Sequence, residues 1–105
     1  MPWLILIAAG LLEIVWATAL KQSDGFTRPW PSIIGVVGAL LSFVLLAVAL
    51  RHLPAGTGYA VWVGIGAVGV SIAGIVAFGE AVSVARVLFL SIIVVGIVGL
   101  RVVEG

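Results

Sequence analysis

Residues 3–20 read Trp3-Leu4-Ile5-Leu6-Ile7-Ala8-Ala9-Gly10-Leu11-Leu12-Glu13-Ile14-Val15-Trp16-Ala17-Thr18-Ala19-Leu20, and Glu13 carries the only charge in the run. A helix rising about 1.5 Å per residue takes such a run across most of a hydrocarbon core roughly 30 Å thick. An acid near the centre of that span costs about 2.5–3.5 kcal/mol on insertion scales, so such residues normally face protein or a wet cavity. The stretch therefore predicts a transmembrane helix, and Glu13 is the first functional candidate.

The rest of the chain agrees with that reading. Its 105 residues are 64% hydrophobic and only 9% charged, against about 25% charge in a soluble domain. Mean hydropathy is +1.43. A net charge of +1 offers no electrostatic footprint for nucleic acid. The lack of cysteine excludes disulfides and thiolate metal sites. Neither a cofactor, a metal nor an enzymatic activity is expected. Met1-Pro2-Trp3 lacks the basic leader of a signal peptide, so the first run is expected to stay in the mature protein.

Charges and turn residues divide the sequence into spans at about residues 3–20, 32–50, 57–78 and 84–103. The fold expected is an all-α membrane protein, a single domain over residues 1–105 with four antiparallel transmembrane helices per chain. Arg86 and Arg101 stand about 22 Å apart on the fourth helix, so both must snorkel outward. Trp3 and Trp30 lie at span ends and fit the aromatic belt. Asp24, Glu80, Glu104 and His52 lie at ends or in connections, where solvated charge is expected.

The Lys/Arg bias that orients membrane proteins is nearly absent. Arg51 and Arg101 would lie on one side, with Lys21, Arg28 and Arg86 on the other. A chain that inserts both ways can pair as an antiparallel, dual-topology homodimer. The alternative is one orientation fixed by a dominant connection.

Small residues mark helix–helix contacts in lipid. Gly35, Gly38, Ser42 and Ala49 form one stripe of the second span, and Tyr59, Trp62, Gly66, Gly69 and Ala73 form one of the third. Gly10, Glu13, Trp16 or Ala17, and Leu20 share the matching face of the first. These small-residue faces, interrupted by polar and aromatic groups, suit a lined cavity. Gly64-Ile65-Gly66 lies mid-span; glycines there fit either a bend that accompanies alternating access or tight packing without motion. The fourth span holds nothing that binds a polar solute, and its task is packing.

A carboxylic acid removed from water can hold a proton near neutral pH and surrender it to a cation that pairs with the carboxylate. Proton and cation then compete for one site, which suffices for antiport if the site faces one side at a time. With no deep Lys or Arg beside Glu13, the site selects cations. Trp16, Ser42, Tyr59 and Trp62 supply N–H and O–H donors at matching depth. A planar guanidinium matches paired carboxylates bidentately.

Two motifs then carry a resemblance: Lys21-x-Ser23-x-Gly25-Phe26-Thr27-Arg28 after the first span, and Pro54-x-Gly56-x-x-Tyr59-Ala60-x-Trp62-x-Gly64-x-Gly66 opening the third. With the mid-helix Glu13, the whole chain resembles the small multidrug resistance transporters. Trp16 one turn after Glu13, with Gly10 and Ser42, is similar to the family's guanidinium-exporter subtype. The resemblance implies an antiparallel dual-topology homodimer in a prokaryotic cell membrane, exchanging protons for guanidinium at a site shared by Glu13 of both subunits. It implies Trp16, Ser42 and Trp62 as hydrogen-bonding neighbours of Glu13 and Tyr59 as a lining residue. It further implies Gly10 as the residue that leaves room beside the carboxylate, and a Gly64–Gly66 hinge. The fourth helix departs from the family's glycine-heptad pattern, with Phe89 seven positions before Gly96. Alternatives are an exporter of quaternary ammonium or lipophilic cations and, from other classes, a passive cation or proton channel or an accessory membrane subunit.

Overall fold

A computed structural model describes residues 2–104, the side chain of Glu104 excepted. Its regular structure is four helices: α1 (Pro2–Gln22), α2 (Pro29–Ala49), α3 (Ala55–Phe78) and α4 (Val84–Glu104). Each is long and apolar enough to cross a membrane. The solvated charge expected at Glu104 lies outside the described side chains.

Local chemistry sets the helix ends. α2 starts at Pro29 rather than near Ser32, because proline's fixed φ and missing N–H are tolerated in a first turn; Arg28 before it is extended, at φ −104° and ψ 123°. α1 closes on Ser23, whose Oγ donates to the Leu20 carbonyl at 2.6 Å and accepts from the Phe26 N–H at 3.2 Å. The chain then reverses through positive φ at Asp24, Gly25 and Phe26. At the end of α3, Gly79 adopts the left-handed conformation, φ 66°, that glycine takes without penalty. The Glu80 N–H donates to the Gly74 carbonyl there at 3.1 Å.

Backbone packing runs in the order α2, α1, α3, α4, while α2 and α3 meet through side chains, Ser42 and Phe43 against Trp62. α1 therefore lies between an antiparallel neighbour, α2, and a parallel one, α3, as four spans of alternating direction require. The four helices measure 42 × 35 × 17 Å, about one and a half helices thick, since a helix with its side chains is about 10–12 Å across. One chain therefore encloses no chamber. Its buried core, Leu6, Ala9, Leu46, Ala49, Val61 and Trp62, sits where α1, α2 and α3 meet, in the membrane half that holds the N-terminus of α1. No described residue of α4 is buried.

Glycine notches set the spacing of the helices. A methyl at Gly38 would lie 3.0 Å from Trp16 Cβ, and one at Gly35 would lie 2.8 Å from Leu20 Cδ2. On α3, Gly69 receives Ile14 and Gly64 receives Ile97 of α4. The stripe expected on α2 is the one buried: Gly35, Gly38, Ser42 and Ala49.

Candidate functional site

Glu13 points from α1 toward α3. Its carboxyl group fills a notch at Gly66 that any Cβ would close. Oε1 is buried without a hydrogen-bond partner. One turn later Trp16 lies across Gly38 of α2, and its indole N–H is likewise buried and unpartnered. Buried polar atoms without partners are uncommon and call for a physical account. Here a lone acceptor and a lone donor stand one helical turn apart.

Ser42, Trp62 and Tyr59 cluster beside this pair. The Ser42 hydroxyl donates to the Ala9 carbonyl of α1 at 2.7 Å and accepts from the Trp62 indole N–H of α3 at 3.0 Å. One hydroxyl thus ties three helices together. Serine on a helix often bonds its own preceding turn; this one reaches across to the turn that carries Glu13. Ser42 and Trp62 do not hydrogen-bond Glu13, as the resemblance implied, because the Ser42 hydroxyl donates to the Ala9 carbonyl and the Trp62 N–H donates to Ser42. Tyr59 is exposed, with its ring 5.5 Å from that of Trp62.

Gly10 differs from its implied role. It faces Ile65, whose Cγ2 would lie 2.8 Å from a methyl there, and so it admits α3 rather than clearing space for the carboxylate. Gly64 and Gly66 both lie within an unbroken α3 and serve as contact points for Ile97 and Glu13. Glu80 was expected to be solvated. It is exposed, and it also accepts from Arg86 at 2.6 Å, since the αL turn at Gly79 folds it back over α3.

Phe43 was missed. Its ring lies 6.2 Å from Trp16 and 5.5 Å from Trp62, and it completes an aromatic series from Trp16 through Trp62 to Tyr59. Tilted pairs at such distances are favourable geometry for aromatic rings. In an apolar span a phenylalanine carries no signal of its own; adjacency to Ser42 was the available hint. Among the described residues no three of His, Cys, Asp or Glu gather as a metal site.

The arrangement is a half-buried acid one helical turn from an aromatic series. Among the described residues the one ion pair is Glu80–Arg86, at the end of α3, so no protein cation neutralises Glu13. A proton or a small cation can.

Comparison with known proteins follows the same line. Residues 1–93 match the family described as Small Multidrug Resistance protein. Over 101 residues the chain is 57% identical to the guanidinium exporters of Yersinia pseudotuberculosis serotype I (strain IP32953) and Yersinia pestis, covering 96% of this chain and 97% of theirs. The guanidinium exporter of Proteus vulgaris is 54% identical, over 96% of this chain and 97% of its own.

Proposed function

This chain belongs to the small multidrug resistance family, and from that premise we propose that it exports guanidinium in exchange for protons. It is a multi-pass protein of the cell membrane, an exporter rather than an enzyme. The observation that carries the reading is the Glu13 carboxyl group, seated in α1 with Oε1 buried and unpartnered. A proton satisfies that oxygen in one state and a guanidinium N–H in the other, so each ligand excludes its rival.

A layer about one and a half helices thick does not surround a solute, and no described residue of α4 is fully buried. Both features support an antiparallel homodimer of this single four-helix domain, in which two Glu13 side chains share one site. Two carboxylates present the acceptor geometry that a planar guanidinium matches bidentately. Trp16 donates its free indole N–H to the occupied site. The Ser42–Trp62 bond fixes the wall, Phe43 and Tyr59 line it, and Gly10 keeps α1 against α3. As the carboxyl group changes partner it leaves or re-enters the Gly66 notch, while Gly64 keeps α4 in register through Ile97. Export of quaternary ammonium ions, the second reading within the family, suits this site less. Trp16 occupies the space a bulkier cation needs.

Flux in proteoliposomes tests the proposal. The expected result is guanidinium uptake driven by a proton gradient, slower for tetraalkylammonium ions and reversed when the gradient is reversed. Glu13→Gln is expected to abolish exchange while the dimer persists. Proton-coupled uptake retained by E13Q would refute the mechanism, and uncoupled leak by the parent chain would make it a channel.

A further inference from the structure

Between α1 and α4, with α3 as its floor, runs an apolar groove that the transport site does not use. Its outer part, about 440 Å³, opens beside Trp3, Ile7, Val98 and Arg101. Its inner part, about 310 Å³, shares Ile65, Ile97 and Val98 and reaches Leu11, Ile14 and Val94. From Arg101 to Val94 is about 10 Å of helix, and from Trp3 to Ile14 about 16 Å. One leaflet of a roughly 30 Å hydrocarbon core is about 15 Å deep. The groove therefore runs from the membrane face to near the midplane.

Its mouth is charged. The Arg101 guanidinium lies 5.0 Å over the ring of Trp3 and, among the described residues, has no ion pair or hydrogen bond. A cation held over a ring by its charge keeps its N–H groups as donors, and a guanidinium offers them in pairs to a bidentate acceptor such as phosphate. Arg86, at the other end of the same helix, differs: it donates to Glu80 at 2.6 Å, to the Ala81 carbonyl at 3.1 Å and to the Ser71 carbonyl at 3.5 Å.

We propose that this groove binds one anionic phospholipid per chain, with its phosphate on Arg101 and one acyl chain laid along Ile97 and Val98 toward Ile14. Length, lining and charge each match that ligand. A second copy of this chain fits less well, because the end an antiparallel copy would bring to Arg101 carries Lys21, Arg28 and Arg86 against Asp24 and Glu80, a net positive face whose Glu80 is already paired with its own Arg86.

Native mass spectrometry of the intact protein, released from micelles holding equal phosphatidylglycerol and phosphatidylcholine of identical acyl chains, tests this. The expected result is one retained lipid per chain, with phosphatidylglycerol favoured about fivefold, the effect of one basic residue at an anionic surface. Arg101→Gln should bring the two lipids to parity. Val98→Phe, which fills the groove at an exposed position, should reduce retention of both. Arg86→Gln should leave the preference unchanged. The proposal is overturned if R101Q keeps the preference, if R86Q loses it equally, or if V98F retains lipid as the parent does. Dimers of the parent chain that carry no lipid would assign the groove to the second copy and overturn it as well.

Discussion

The seam between α1 and α3 and the seam between α3 and α4 are both built on glycine, yet they do different things. At the first, Gly66 receives a carboxyl group and Gly69 a branched apolar side chain, while Gly10 of α1 returns the favour to Ile65. At the second, Gly64 receives the tip of Ile97, no described residue of α4 is fully buried, and the polar contacts gather at the end of the helix around Arg86. Close backbone approach in lipid holds helices together by packing, and both seams use it. Both place ionisable groups against α3, but at the second Arg86 and Glu80 neutralise each other at the helix end, whereas Glu13 stands in mid-span with no charged partner among the described residues. In the first seam the spacing of two helices and the state of one carboxyl group depend on each other.

Alanine at the two notches separates these roles. Gly66→Ala removes the seat of the carboxyl group, and guanidinium flux is expected to fall at least tenfold, beyond the roughly 1–3 kcal/mol that overpacking costs a fold. Gly64→Ala presses on a flexible isoleucine tip, and flux is expected to stay within a few-fold of the parent. If bending were the purpose of this Gly-x-Gly segment, the two variants would fail alike. Equal losses in the same liposome assay would erase the distinction drawn between the seams.

Stability reports on the three-helix tie that only the first seam possesses. Ser42→Ala leaves the Trp62 indole N–H without its acceptor and frees the Ala9 carbonyl of a second donor. Interhelical hydrogen bonds in membranes average about 0.6 kcal/mol and reach about 1.7, so losing two should cost about 1–3 kcal/mol in detergent-denaturation equilibria. In a Trp62→Phe background no indole N–H is left to orphan, and the same change should cost less. An identical cost in both backgrounds would remove Ser42 from the tie.

Much of this was legible in the residues. Apolar runs bounded by charge and proline set four spanning helices, and the small-residue stripe of α2 named its buried face, because lipid permits few ways to satisfy a backbone and fewer to bring helices close. The acid at position 13 announced itself by its cost. What did not follow was partnership. Side chains at one depth can pair in several ways, and depth alone assigned Ser42 and Trp62 to Glu13 when they bond each other. Nor does helical spacing say which neighbour fills a glycine notch: the resemblance matched Gly10 with the carboxylate, whereas Ile65 occupies its face. Phe43 stayed hidden for a related reason: in a span of apolar residues, one more aromatic ring has no contrast.

The smallest expected effect belongs to the second seam. Glu80 and Arg86 form a pair with side chains 43% and 28% exposed, and such pairs contribute about 0–1 kcal/mol. The two partners are not equivalent, however. Glu80 places negative charge just past the C-terminus of α3, where the helix dipole disfavours it, while Arg86 brings the favoured sign. Removing the acid also removes an unfavourable charge, whereas removing the base exposes it. Arg86→Gln should therefore destabilise more than Glu80→Gln, with both inside about 1 kcal/mol in the same denaturation equilibria and neither altering guanidinium flux. A flux defect in either variant would carry transport chemistry into α4 and break the contrast between the two seams.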